Sequence, residues 1–169
     1  MIKDRPSWRE YFLEIAEVVS RRASCPRASS GCVLVVNSTK RILATGYNGA
    51  PAGKPSCLEI GCEVDGLHCV RANHGEYNTI EYADKYNVDY ANTTLYEYYQ
   101  AVSNQSRTNY YPKKSEIVLL DEFPCLKCKN LMLQKGIRCI ICKYGNGFIV
   151  KYSNERERFN GRRNGIRQL

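Results

Sequence analysis

The chain of 169 residues has no run of eighteen apolar residues, so nothing in it is long enough to cross a bilayer as a helix. The N-terminal MIKDRPSWRE lacks the apolar centre of a secretory leader. There is no internal repeat, no low-complexity tract and no Gly/Ser-rich linker to divide the chain. These absences lead us to expect one cytoplasmic domain with no membrane partner. Histidine is scarce. Only His68 and His74 are available, so any histidine chemistry falls on one of the two. Free disulfide formation is also unexpected in that compartment, which gives a special weight to what is abundant: nine cysteines. An odd count cannot be consumed by intramolecular disulfides alone, and metal ligation is the leading use for some of these thiols.

The bulk composition is that of an ordinary globular protein, 43% hydrophobic and 25% charged. The formal net charge of +8 implies anionic partners: nucleotides, nucleic acid or acidic surfaces. Much of the excess lies in the terminal NERERFNGRRNGIRQL, which reads as a solvated basic tail over residues 153–169.

Periodicity orders the rest. Ser7 to Arg22 reads as a helix, with Ser7 and Glu10 spaced as a capping box and Tyr11, Phe12, Ile15, Val18 and Val19 at helical intervals. Val33 to Val36, the turn NSTK and Arg41 to Thr45 read as a hairpin. Ala50 to Leu67, rich in Gly, Pro and Cys, reads as a loop. Val70 to Tyr86 is predicted helical, Glu116 to Leu120 a buried strand, Leu126 to Lys135 a helix stopped at Gly136, and Ile137 to Tyr144 a strand. This alternation of helices and strands predicts an α/β sandwich.

Two short motifs carry the chemistry. The first is His74-Gly75-Glu76. The second is Pro124-Cys125-Leu126-Lys127-Cys128. Cysteines three apart at a helix start can turn both sulfurs to one point, where unpaired N–H groups favour thiolates. His74 would add a third ligand from another helix. Three protein ligands leave one zinc position open, the mark of a catalytic rather than a structural site. Glu76, two residues from His74, is badly placed to ligate alongside it and well placed to carry protons. The bland readings are a chance HxE, a redox CxxC, or a zinc ribbon using the second pair, Cys139 and Cys142. The ribbon is disfavoured because positions three apart on a strand face opposite ways, which makes Cys139 and Cys142 core or interface residues.

The ordered pair HxE…PCxxC is the signature of zinc deaminases. With RPSWREYFLEIAEVVSRRASC, RILATGYNGAPAGKPSC, GCEVDGLHCVRANHGE and FPCLKCKNLMLQKGIRCIIC, the chain from about Arg5 to Tyr144 resembles the cytidine and deoxycytidylate deaminase superfamily. GYNGAPAG points, within it, to the dCMP deaminases. The resemblance implies a three-layer fold, a mixed five-stranded sheet with helices on both faces. It implies hydrolytic deamination of dCMP to dUMP and ammonia, which supplies dUMP for thymidylate synthesis. It implies His74, Cys125 and Cys128 as ligands of a catalytic zinc, Glu76 as the proton carrier, and Asn48 as a contact to the nucleotide sugar. Members of the family are commonly oligomers, hexamers or dimers, regulated by dCTP and dTTP, so Gly46, Tyr47, Asn48 and Gly49 become candidates near an effector, with Mg2+ accompanying a triphosphate. Some members hold a second, structural zinc. Here Cys25, Cys57, Cys62 and Cys69 are its candidate ligands, with His68 competing for a place.

Three departures stand out. Gly75 occupies a place usually held by alanine, at a cost in helix propensity of roughly 1 kcal/mol. A segment of about residues 97–115 looks inserted within the deaminase domain of residues 1–152. The basic tail matches nothing in the family. Two rival readings follow: a deaminase of cytosine or adenine bases in RNA or DNA, favoured by the positive charge, and a non-catalytic zinc module.

Overall fold

A computed structural model describes residues 4–65, 68–101, 124–153 and 166–168. The chain runs through α1 (Trp8–Ser20), β1 (Ala28–Val36), β2 (Ile42–Tyr47), α2 (Cys57–Ile60), β3 (Val64–Asp65), β4 (His68–Cys69), α3 (Gly75–Ala83), β5 (Thr93–Ala101), α4 (Leu126–Lys135), β6 (Cys139–Tyr144), β7 (Ile149–Ser153) and β8 (Ile166–Gln168).

The main sheet has the order β2-β1-β5-β6-β7-β8, and β3 and β4 pair in a small separate ribbon. Only β5 and β6 are parallel; every other neighbouring pair is antiparallel. A parallel pair needs a long crossover, and α4 lies in the chain between the two strands. The sheet is therefore mixed, as expected, with five strands forming its body. The short β8, drawn from the basic tail, adds a sixth at the edge. Residues 154–165 of that tail lie outside the described residues.

Alternation along β1 sorts the two faces. Val33 and Val35 pack with Phe12 and Ala16 of α1, Tyr98 and Tyr96. Cys32 and Leu34 pack on the opposite face with Ile80 and Ala83 of α3, Met132 of α4, Leu95 and Ile140. Helices therefore cover both faces, as a sandwich requires.

Local chemistry explains most element boundaries. Ser7 and Glu10 form the expected capping box: the Glu10 N–H donates to Ser7 Oγ at 3.3 Å and the Ser7 N–H to Glu10 Oε2 at 2.8 Å. The buried face of α1 is Phe12, Leu13, Ala16 and Ser20, whereas Tyr11 and Val18 of the anticipated stripe are exposed. Small residues lie at the centre because α1 rides close on β1: a Cβ on Gly31 would overlap the Ala16 carbonyl and the Ser20 backbone. Gly136 ends α4 with φ 89°, a left-handed conformation suited to glycine.

Three readings of the sequence need correction. The expected helix from Val70 begins only at Gly75, because His74 is extended (φ −72°, ψ 159°) and the preceding Asn73 exchanges backbone hydrogen bonds with Gly49. The loop from Ala50 contains the one-turn α2, started by a second capping box from Ser56 and Glu59. Residues 97–101 of the apparent insertion belong to the central strand β5, which pairs with β1 over its whole length. The rest of that segment, and the strand expected at Glu116 to Leu120, fall outside the described residues.

Candidate metal and catalytic centre

The beginnings of α3 and α4 meet at one point. His74 is the N-cap of α3, and Cys125 is the N-cap of α4. His74 Nδ1 lies 3.3 Å from Cys125 Sγ and 3.6 Å from Cys128 Sγ, and the three donor atoms lie within 4.8 Å of one another. With Zn–S about 2.3 Å and Zn–N about 2.0 Å, tetrahedral geometry requires N···S separations of about 3.5 Å, so the donor set fits that ion. Cys128 is buried, Cys125 half-buried and His74 exposed, which leaves the open side toward solvent.

The electrostatics suit a cation. The Cys128 thiol and His74 both bond to the Cys125 sulfur and hold its pKa down at about 4. The same sulfur raises His74 to about 9, against the opposing effect of burial. Cys128 is displaced upward by its bond to Cys125 and by burial. A thiolate is thus already favoured at one of the three ligands.

Glu76 stands in the first turn of α3, only 4% exposed. Burial raises its carboxyl above the ordinary range, although His74 and the Cys128 thiol against it pull the other way. A buried carboxyl raised above its ordinary range, next to a metal-ligand set, is suited to accept and return a proton.

The GYNG segment is clamped beside this centre. The Asn78 amide of α3 donates to the carbonyls of Tyr47 (2.8 Å) and Gly49 (3.3 Å), and Gly49 pairs with Asn73, one residue before His74. Asn48 is 7% exposed; its Oδ1 accepts from the Ser30 N–H at 2.7 Å and its Nδ2 donates to the Ala28 carbonyl at 2.8 Å. One amide hydrogen and one lone pair remain for another partner. Gly46 is required by packing, because a Cβ there would stand 2.6 Å from the Thr79 nitrogen.

A second donor cluster lies before α3. Cys57, Cys62 and Cys69 bring their sulfurs within 4.8 Å of one another, with Cys57 and Cys69 3.6 Å apart. Backbone N–H groups of Ala72, Arg71 and Glu63 turn toward the Cys69 sulfur and outweigh the effect of burial on it. Cys25 is close enough for its charge to act on Cys62. The side chain of His68 is outside the described residues. Cys139 and Cys142 join no donor cluster among the described residues.

Sequence reasoning missed one group. Cys32, Glu76 and Glu97 form a third, fully buried cluster within 4.8 Å. Glu97 falls at the start of the apparent insertion. Its signal was a lone charge at the centre of the strand-like TTLYEYY, on the side of Leu95, and so pointing into the core.

The chain matches the model of the cytidine and deoxycytidylate deaminase zinc-binding region over residues 6–144. It is 29% identical over 137 residues to ComE operon protein 2 of Bacillus subtilis (strain 168), covering 81% of this chain and 59% of that protein, which is less than two thirds of its length. It is 31% identical over 149 residues to the deoxycytidylate deaminase of Mycobacterium phage D29, covering 81% of this chain and 94% of that one. Among solved structures, the dCMP deaminase of cyanophage S-TIM5 in complex with dCMP and dUMP superposes with a TM-score of 0.57 at 21% identity, covering 84% of this chain and 85% of that one. At that identity the likeness concerns the fold.

Proposed function

The chain belongs to the cytidine and deoxycytidylate deaminase family, and on that premise we propose that it hydrolyses the amino group of a free cytosine nucleotide, converting dCMP and water to dUMP and ammonia. The observation that carries the reading is the convergence of His74, Cys125 and Cys128 on one point beside the buried carboxyl of Glu76. A zinc ion held by those three residues supplies a Lewis acid and a hydrolytic nucleophile at neutral pH.

The chain's own groups do the rest. Glu76 takes a proton from the attacking water and delivers it to the ring nitrogen beside the amino-bearing carbon; it then takes the second proton, from the hydroxyl now on that carbon, and passes it to the amine as the C–N bond breaks and the C=O bond forms. Its burial keeps bulk water from competing for that proton. Asn48, braced by Ser30 and Ala28, keeps one amide hydrogen for the nucleotide sugar. The relationship to the deoxycytidylate deaminase of Mycobacterium phage D29 supports dCMP as the substrate.

Membership of the family extends the reading to its finer parts. Cys57, Cys62 and Cys69, completed by Cys25, are assigned a structural zinc, since four thiols close a site and three of them already converge. Residues 1–152 form the catalytic unit and residues 153–169 an accessory tail. Gly46 to Gly49 adjoin an effector site for dCTP or dTTP, with Mg2+ on the triphosphate, in a cytoplasmic homo-oligomer. No described helix is long and apolar enough to cross a membrane.

The test is Glu76→Gln. Zinc content should be unchanged while dUMP formation falls by about 10²–10⁴-fold. Full turnover in that variant contradicts the assigned role.

A further inference from the structure

Glu97 sits at the middle of β5, the strand between β1 and β6. Its register partners are Cys32 on one side and Cys142 on the other, both fully buried. Glu97 itself is 3% exposed. Its Oε1 accepts a hydrogen bond from the Ser30 hydroxyl at 2.7 Å. Its Oε2 is buried and has no hydrogen-bond partner among the described residues. A carboxyl oxygen in that condition is costly unless it finds one. The polar groups converging with it are the Glu76 carboxyl and the Cys32 thiol, within 4.8 Å.

Within that limit the two carboxyls can be joined by one bridging water or, after a small rotation, by a direct bond. Glu97 lies inside the sheet between two buried cysteines, surroundings that favour the neutral carboxyl and so supply a donor. Burial and the neighbouring Glu76 both raise the Glu97 carboxyl well above its ordinary range. Space for the arrangement comes from Gly75, where a Cβ would stand 2.7 Å from Ser30 Oγ and 3.1 Å from Cys32 Sγ. The departure at position 75 and the buried acid at position 97 are therefore parts of one device.

We propose that Glu97 is a positioning residue: held by Ser30, its second oxygen donates a hydrogen bond, directly or through one water, to Glu76 and fixes that carboxyl against the metal-ligand set. One Glu76 oxygen is tied from the interior and the other is left to face the substrate. Glu97 touches no reacting atom. This inference rests on the role proposed for Glu76.

The decisive comparison is Glu97→Gln with Glu97→Met, zinc counted in each. Glutamine keeps an acceptor for Ser30 and a donor for Glu76; methionine keeps the volume and loses both. The expected result is equal zinc in all three proteins, kcat within about threefold of the parent for Gln, and kcat down by about 10–100-fold for Met with KM little changed. Methionine at parental kcat, or glutamine as impaired as methionine, overturns the proposal. If Glu97→Met does not fold, infrared spectroscopy of the parent decides. The C=O stretch of a buried protonated carboxyl should vanish in Glu97→Gln and shift in Glu76→Gln. A missing band, or one unmoved by Glu76→Gln, counts against the inference. Full activity of Glu76→Gln would instead refute the Glu76 reading and leave the infrared band to judge the pairing.

Discussion

Replacing Gly75 by alanine should destabilise this protein, although helix propensity argues the reverse. The propensity gain is at most about 1 kcal/mol, and less here because Gly75 is the first residue of α3. Against it stands a Cβ 2.7 Å from Ser30 Oγ and 3.1 Å from Cys32 Sγ. Ser30 Oγ is not free to turn away, since it holds Glu97 Oε1 at 2.7 Å. Losing that bond leaves Glu97 Oε1 buried without its donor, a penalty of about 1–3 kcal/mol. If Ser30 stays, the Cβ must be absorbed by a packed core, at about the same cost. The net expectation is a loss of about 1–2 kcal/mol, a fall in Tm of about 2–8 °C for a domain of this size. Urea unfolding of the zinc-loaded protein measures it. In a Ser30→Ala background the collision with Oγ is gone, so Gly75→Ala should cost about 1 kcal/mol less there. A Gly75→Ala variant as stable as the parent, or more so, would refute the reasoning.

Three other outcomes follow from the structure. Cys69→Ser should lower bound zinc from two ions per chain to one and melt the region around α2, while Cys128→Ser should remove the other ion and all turnover; elemental analysis of each purified variant checks both. The pair of Asp84 with Lys135 (2.6 Å) and the Tyr90 hydroxyl (2.8 Å) should make stability sensitive to acid. Burial alone would raise the Asp84 carboxyl, but those two bonds outweigh it and hold it below its ordinary value. Stability from this group is complete above the unfolded pKa of about 3.9 and is lost as pH falls through the lower folded value. Urea midpoints should therefore fall less steeply below about pH 4 in Asp84→Asn than in the parent.

The parts of the structure that were legible in the sequence are those set by local chemistry. Ser7 and Glu10 announced α1, Gly136 ended α4, and the HxE and PCxxC spacings located the two helix starts that converge. The parts that were not legible depend on partners distant in the chain. The true start of α3 is set by the pairing of Asn73 with Gly49, which no periodicity in Val70 to Tyr86 reveals. The buried face of α1 follows from the close approach of Gly31, an effect of packing rather than of hydrophobicity. Glu97 was obscured because a charged residue among tyrosines reads as surface or loop. Its register opposite Cys32 and Cys142 shows that it belongs to the interior. Gly75 looked like a small flaw in a helix until the side chain beneath it came into view.

The most direct test of the central claim is ammonia release from dCMP, dCTP, deoxycytidine, CMP and adenosine-containing RNA, with zinc counted on the same sample. The account expects zinc present and dCMP turned over in preference to the others. Zinc present with no turnover of any free nucleotide would contradict it, and release from the RNA alone would assign the same centre to bases in a polymer.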